Sequence, residues 1–203
     1  MPYYHNLITQ KSWKELQKLN KLLDFVLIGG WATFLYTKTL KSKDIDIIIN
    51  YDKLNILEKN YYLTKNNRLN KYEAIKGHIQ IDIYLPHYSK IGIPVEKLLN
   101  QTTNIEGFKI LQIEYLIALK LFTFFKRGRS PKGRKDFLDL ISLFNIKNAN
   151  FPKINKLIKK YKFEPSLSFF VQSLKQNFEI KELNLNKHAF SKLKKFIIEN
   201  FPP

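Results

Sequence analysis

One short segment constrains this chain more than any other: residues 44–49, Asp-Ile-Asp-Ile-Ile-Ile. An apolar run rich in β-branched side chains reads as a buried strand, yet two of its six positions are carboxylates. Alternate side chains of a strand share a face, so Asp44 and Asp46 project together while Ile45 and Ile47 enter the core. Burying carboxylates is costly unless a cation or hydrogen bonds compensate. A divalent metal at the sheet edge is the expected compensation, and oxygen-only donors favour magnesium. Asp82 stands in Ile-Gln-Ile-Asp-Ile-Tyr-Leu (79–85), flanked by isoleucines in the same way. If the two segments pair, Asp44, Asp46 and Asp82 form a three-carboxylate metal site. An Asp82 on the opposite face of the sheet would remove its basis.

Upstream, the apolar run 25–28 stops at Gly29-Gly30, and 31–37 has helical character. A glycine turn between strand and helix lets backbone amides approach a phosphate, with the helix dipole adding to the attraction. Residues 12–23 read as a helix, with Ser12 as N-cap and Glu15 completing a capping box. A short helix is expected at 53–60, and strands at 71–76 and 78–85 form a hairpin around Gly77. From Ile113 the pattern is helical: 113–126, 131–144 with Pro131 at its start, then 152–161, 166–177 and 187–200. The border falls near 100–112, and there is no internal repeat.

Composition narrows the chemistry. The chain has no cysteine, which excludes disulfides, thiolate zinc sites and a cysteine nucleophile. His5, His78, His87 and His188 share no metal-ligand spacing and read as surface or structural residues. The most apolar stretch, 113–125, is too short to span a bilayer and holds Glu114 and Lys120. No apolar core of signal-peptide length occurs in the first ten residues, so a cytoplasmic protein without a membrane role is expected. The net charge is +18, with 15 basic against 9 acidic residues in 1–100 and 20 against 8 in 101–203. That surface attracts polyanions; a Lys-rich proteome is the plainer explanation of the same excess.

The order Gly29-Gly30, short helix, Asp44-Ile45-Asp46 and a later strand bearing Asp82 resembles the DNA polymerase β-like nucleotidyltransferases. Within them, Lys41-Ser42-Lys43-Asp44-Ile45-Asp46-Ile47 and the helical residues Lys120, Lys135, Asp136 and Asp139 look like the AbiEii-type toxins. The resemblance implies an α+β nucleotidyltransferase fold: a core over 1–110 with a mixed sheet flanked by helices, and a helical region over 111–203 packed on it. It implies triphosphate binding at Gly29 and Gly30, and two magnesium ions held by Asp44, Asp46 and Asp82. It also puts Lys120, Lys135, Asp136 and Asp139 in the active-site region, with Lys120 catalytic. Where the family carries Arg-x-Thr before the carboxylates, this chain has Leu40-Lys41-Ser42. Lys38, Lys41 and Lys43 are the nearby cations, and Lys43 is taken as nucleotide-binding.

Read without the resemblance, Lys120 in an apolar helix needs an anion, either a triphosphate or Asp136 or Asp139 on the next helix. Lys135 and Asp139 are also spaced to pair on one helix face. The expected activity is transfer of a nucleoside monophosphate from a nucleoside triphosphate to a hydroxyl of tRNA, another RNA or a protein. The resemblance adds an antitoxin partner. The competing expectation is a non-catalytic nucleic-acid-binding protein on a decayed fold of the same type.

Overall fold

The computed structural model describes residues 2–146 and 149–201, with side chains from residue 7 onward. The chain divides into two compact units, one ending at Gln112 and the other starting at Ile113.

The first unit is built on a seven-stranded mixed sheet. Its strands are β1 (Val26–Ile28), β2 (Ile45–Ile48), β3 (Tyr62–Asn66), β4 (Lys71–Lys76), β5 (Ile79–Tyr84), β6 (Thr102–Ile105) and β7 (Phe108–Leu111). They lie in the order β3-β4-β5-β2-β1-β7-β6. The central strands β1, β2 and β5 are the apolar runs read from the sequence. Leu27, Ile45, Ile47, Ile81 and Ile83 are fully buried, each contributing about 1.5–3 kcal/mol through removal from water. β1 runs antiparallel to β2, while β2 and β5 run parallel. Four helices accompany the sheet: α1 (Pro2–Leu22), α2 (Gly29–Thr37), α3 (Leu54–Asn60) and the single turn α4 (Val95–Leu98).

Two expectations are corrected here. Ser12 is not a helix cap, because α1 begins ten residues earlier, at Pro2. Its buried stripe runs through Thr9, Ser12 and Glu15 before reaching Leu16 and Leu19, so the early part lacks an apolar signature. Ser12 Oγ instead accepts a hydrogen bond from Trp31 Nε1 at 2.9 Å, and Glu15 accepts one from the Tyr61 hydroxyl at 2.9 Å. Second, strand β2 starts at Ile45, leaving Asp44 in the bend before it. The border segment is a hairpin, β6–β7, turning at Glu106 and Gly107, both of positive φ as a tight two-residue hairpin turn demands.

The second unit is helical: α5 (Ile113–Arg127), α6 (Pro131–Phe144), α7 (Phe151–Tyr161), α8 (Glu164–Gln176) and α9 (Lys187–Asn200). Phe137, Leu140, Ile141 and Phe144 form the buried stripe of α6 that their spacing predicts. Phe144 stacks on Phe170, with ring centroids 5.4 Å apart. Among the described residues no helix is long and apolar enough to cross a membrane.

Candidate active site

Register assembles the site. Asp46 on β2 pairs with Ile28 on one side and with Asp82 on the other. Asp82 in turn pairs with Glu73 of β4. Cross-strand partners share a face at about 4.8 Å spacing, so Asp46, Asp82 and Glu73 stand in one row across three neighbouring strands. Asp82 is therefore beside Asp46 and not behind the sheet. The isoleucines that alternate with these carboxylates are buried beneath them.

The row ends against the start of a helix. Ile28 is the last residue of β1, and Gly29 opens α2 directly. Gly29 has φ +67°, and a Cβ added there would stand 2.2 Å from Asp46 Oδ2. Only glycine lets the carboxylate lie against the first turn of the helix. The sequence reading had the glycines precede the helix; they form its first turn. Free amides at this end carry partial positive charge, which favours Asp46 and any phosphate brought to the same place.

One ammonium offsets part of the charge of the row. Lys71 Nζ lies 2.6 Å from Asp82 Oδ2 and 2.9 Å from Glu73 Oε1. Gln80 donates to Asp82 Oδ1 at 2.8 Å, and the Tyr84 hydroxyl donates to Asp46 Oδ1 at 3.4 Å. Lys71 is buried. Burial pulls its ammonium pKa down, but its hydrogen bonds to and the charges of Asp82 and Glu73 outweigh this, and the net shift is upward. The hydrogen bond from Lys71 holds the Glu73 carboxyl below its ordinary value.

Oxygen donors that are half-buried and next to a helix N-terminus suit magnesium, which is bound through one or two carboxylates plus phosphates and waters. Asp46 and Asp82 match that need as neighbours. Among the described residues no group of three or more His, Cys, Asp or Glu is gathered closely enough to hold an ion. The arrangement is thus a pair of carboxylates rather than a closed cage. Asp44, at the bend, stands outside the alternation argument that joined it to Asp46. Lys43 is exposed in the same bend.

The sequence reading missed Lys71, Glu73, Gln80 and Tyr84. A signal was available for two of them. A hairpin centred on Gly77-His78 puts position 73 opposite 82, and alternation along β4 puts Lys71 on the same face as Glu73.

In the second unit, Lys120 is buried in α5 and reaches Asp136 Oδ1 at 2.9 Å and Asp139 Oδ2 at 2.6 Å, both on α6. Arg127 Nη1 holds the other Asp136 oxygen at 2.8 Å. Burial lowers the Lys120 pKa, yet the two aspartates together drive it upward. Asp139 Oδ1 is buried with no hydrogen-bond partner among the described residues. Lys135 is half-buried on α6. The basic segment 126–135 forms the turn from α5 to α6. Ser130 caps α6 by accepting from the Gly133 amide, Arg129 donates to Gln176, and Arg134 donates to Glu182 and Asn177. His78, His87 and His188 are exposed. The His5 side chain lies outside the described residues.

Residues 6–199 match the family model described as nucleotidyl transferase AbiEii toxin, type IV TA system. No curated protein matches the chain. Among solved structures, JHP933 from Helicobacter pylori is similar over 95% of this chain and 91% of its own, at TM-score 0.56 and 17% identity. A putative nucleotidyltransferase from H. pylori is similar over 96% and 94%, at TM-score 0.55 and 17% identity. The antibiotic-resistance factor ANT(2'')-Ia is similar over 80% and 93%, at TM-score 0.52 and 15% identity. The fold is that of the nucleotidyltransferases.

Proposed function

The chain belongs to the AbiEii nucleotidyltransferase toxin family, and we propose that it moves a nucleoside monophosphate from a nucleoside triphosphate to a hydroxyl acceptor. The observation that carries this reading is the register of Asp46 beside Asp82, directly against the first turn of α2 at Gly29.

In this reading the amides of Gly29 and Gly30 receive the triphosphate, and Lys43 adds positive charge from the bend before β2. Magnesium held by Asp46 and Asp82, with Asp44 of the preceding bend as the further carboxylate that the family resemblance implies, would offset polyphosphate charge and lower the pKa of the acceptor hydroxyl. Gln80 and Lys71 fix the direction of the Asp82 carboxylate, and Tyr84 that of Asp46, so neither has to reorganise during the reaction. For Lys120, Lys135, Asp136 and Asp139 the support is the family resemblance alone. Within the second unit Lys120 and Arg127 satisfy both Asp136 oxygens and Asp139 Oδ2, and Asp139 Oδ1 alone is left without a partner among the described residues.

The acceptor class favoured by a net charge of +18 is RNA, tRNA included, with a protein hydroxyl as the other class. Membership of a toxin family also motivates an antitoxin protein partner and action in the cytoplasm, where triphosphates and RNA are found.

The test is incubation with each labelled nucleoside triphosphate, magnesium, total RNA and total protein. Label is expected in one acceptor class and is lost with Asp46→Asn. Salt-sensitive RNA binding without incorporation from any triphosphate would overturn transfer and point to a non-catalytic nucleic-acid-binding protein.

A further inference from the structure

A second concave feature of the first unit lies apart from the carboxylate row. It is a groove of about 530 Å³ on the face shared by α1 and α2. Its wall is aromatic. Trp13 of α1 packs on Trp31 and Phe34 of α2, with centroids 5.0 and 6.1 Å away, and on Phe108 at 5.5 Å. Trp31 is buried, whereas Trp13 and Phe34 are half-exposed and present ring surface to the groove. The rim is basic: Lys14, Lys38 and Lys41, with Glu106 as the one acidic residue, paired to Lys38. Lys38 also lies over the Phe34 ring, 5.5 Å from its centroid. Gln10 and Gln17 supply amides along the α1 side.

Half-exposed rings bordered by ammonium groups are the combination that single-stranded nucleic acid requires. Bases stack on the rings without regard to sequence, and the lysines meet the phosphates. A duplex cannot use such a groove, because its bases are already stacked. A purely apolar protein partner would leave the lysine rim without counter-charge.

We propose that this groove binds an unpaired nucleobase of a single-stranded polynucleotide. The chain itself sets where that strand leads. Lys41 is three residues before Asp44, at most about 11 Å along extended backbone. A strand whose end lies at the carboxylates has a nearby nucleotide within reach of the groove. Naming it the acceptor strand rests on the transferase reading; binding of the base does not.

Trp13 and Trp31 are the only tryptophans in the chain, so tryptophan emission, excited selectively over the eleven tyrosines, reports this groove alone. The protein carrying Asp46→Asn, without triphosphate or magnesium, is titrated with an octanucleotide of oligo(A) RNA. Quenching is expected, and the same RNA annealed to its complement should quench far less. Affinity is then read from the anisotropy of a labelled octanucleotide. Trp13→Leu should weaken binding about tenfold. Lys14→Glu, on an exposed position outside the core, should weaken it and flatten its salt dependence.

Absence of quenching, equal quenching by the duplex, or unchanged affinity in Lys14→Glu would each overturn the proposal. Displacement of the RNA by a poly-glutamate peptide at equal affinity would overturn it too, marking the groove as a face for an acidic protein. A failure here leaves nucleotidyl transfer by the wild-type protein untouched. Intact quenching with no transfer by the wild type would sink the transferase reading and leave the groove standing.

Discussion

Lys71 serves two carboxylates with one ammonium, and its neighbours show what removing it would do. Asp82 and Glu73 side chains are only 13% and 20% exposed. Lys71→Met would leave both charged without their partner, a loss of about 3 kcal/mol or more, read as a lower urea midpoint. Asp46→Asn differs: it keeps the volume and the contact with Gly29, so transfer is lost while the melting temperature holds. Tyr61 gives a pH dependence. Burial first, and then its hydrogen bond to Glu15, raise the phenol pKa. A group whose folded pKa is raised stabilises fully below its unfolded value, about 10, and loses that contribution as pH rises beyond it. Urea unfolding of the wild type should weaken above about pH 10, and Tyr61→Phe should flatten that decline. A parallel decline in both proteins would exclude Tyr61 as its source.

Glycine sets the geometry at two element junctions. Gly29→Ala would place a Cβ 2.2 Å from Asp46 Oδ2 and hold a non-glycine residue at φ +67°. The backbone cost alone is about 1–2 kcal/mol, and the displaced carboxylate should cost more activity than stability. Transfer falling no further than the folded fraction would contradict that. Gly133→Ala acts on the second unit, where its Cβ would stand 1.9 Å from the Gly128 carbonyl oxygen. Thermal unfolding should show a loss of about 1–3 kcal/mol as the α5–α6 turn is forced apart. Position in the sheet decided how far the elements were legible in the sequence. Strands β1, β2 and β5 lie in its middle: β1 is buried throughout, and in β2 and β5 buried isoleucines alternate with the half-buried carboxylates, a pattern that stands out in the sequence. Strands β3 and β6 are the two edges. Their sequences, Tyr-Leu-Thr-Lys-Asn and Thr-Thr-Asn-Ile, are half-solvated and give no periodic signal.

For the molecule as a whole, charge was legible and its disposition was not. The arginines of the 126–135 segment bond to Asp136, Gln176, Glu182 and Asn177, so they are not a free phosphate clamp. Exposed lysines must then carry any polyanion affinity. Binding of single-stranded RNA should weaken at least about tenfold between 50 and 200 mM salt, measured by anisotropy. A flat salt profile would leave the +18 charge without a role in RNA binding. The carboxylates of the candidate site were visible as residues, and their parallel pairing across β2 and β5 was not. Long-range register depends on which strands meet, and no local pattern encodes that. The third acidic partner in the row is Glu73, from a strand the sequence located correctly, while Asp44 sits in the bend outside it.

The ammonium of Lys71 has one more result. It is a counter-ion fastened to the backbone, so the acidic strands are held together by the polypeptide's own charge. Chelation should therefore halt the enzyme while leaving its melting curve superimposable on that of the untreated protein. Returning the ion should restore turnover at once, with no lag for refolding.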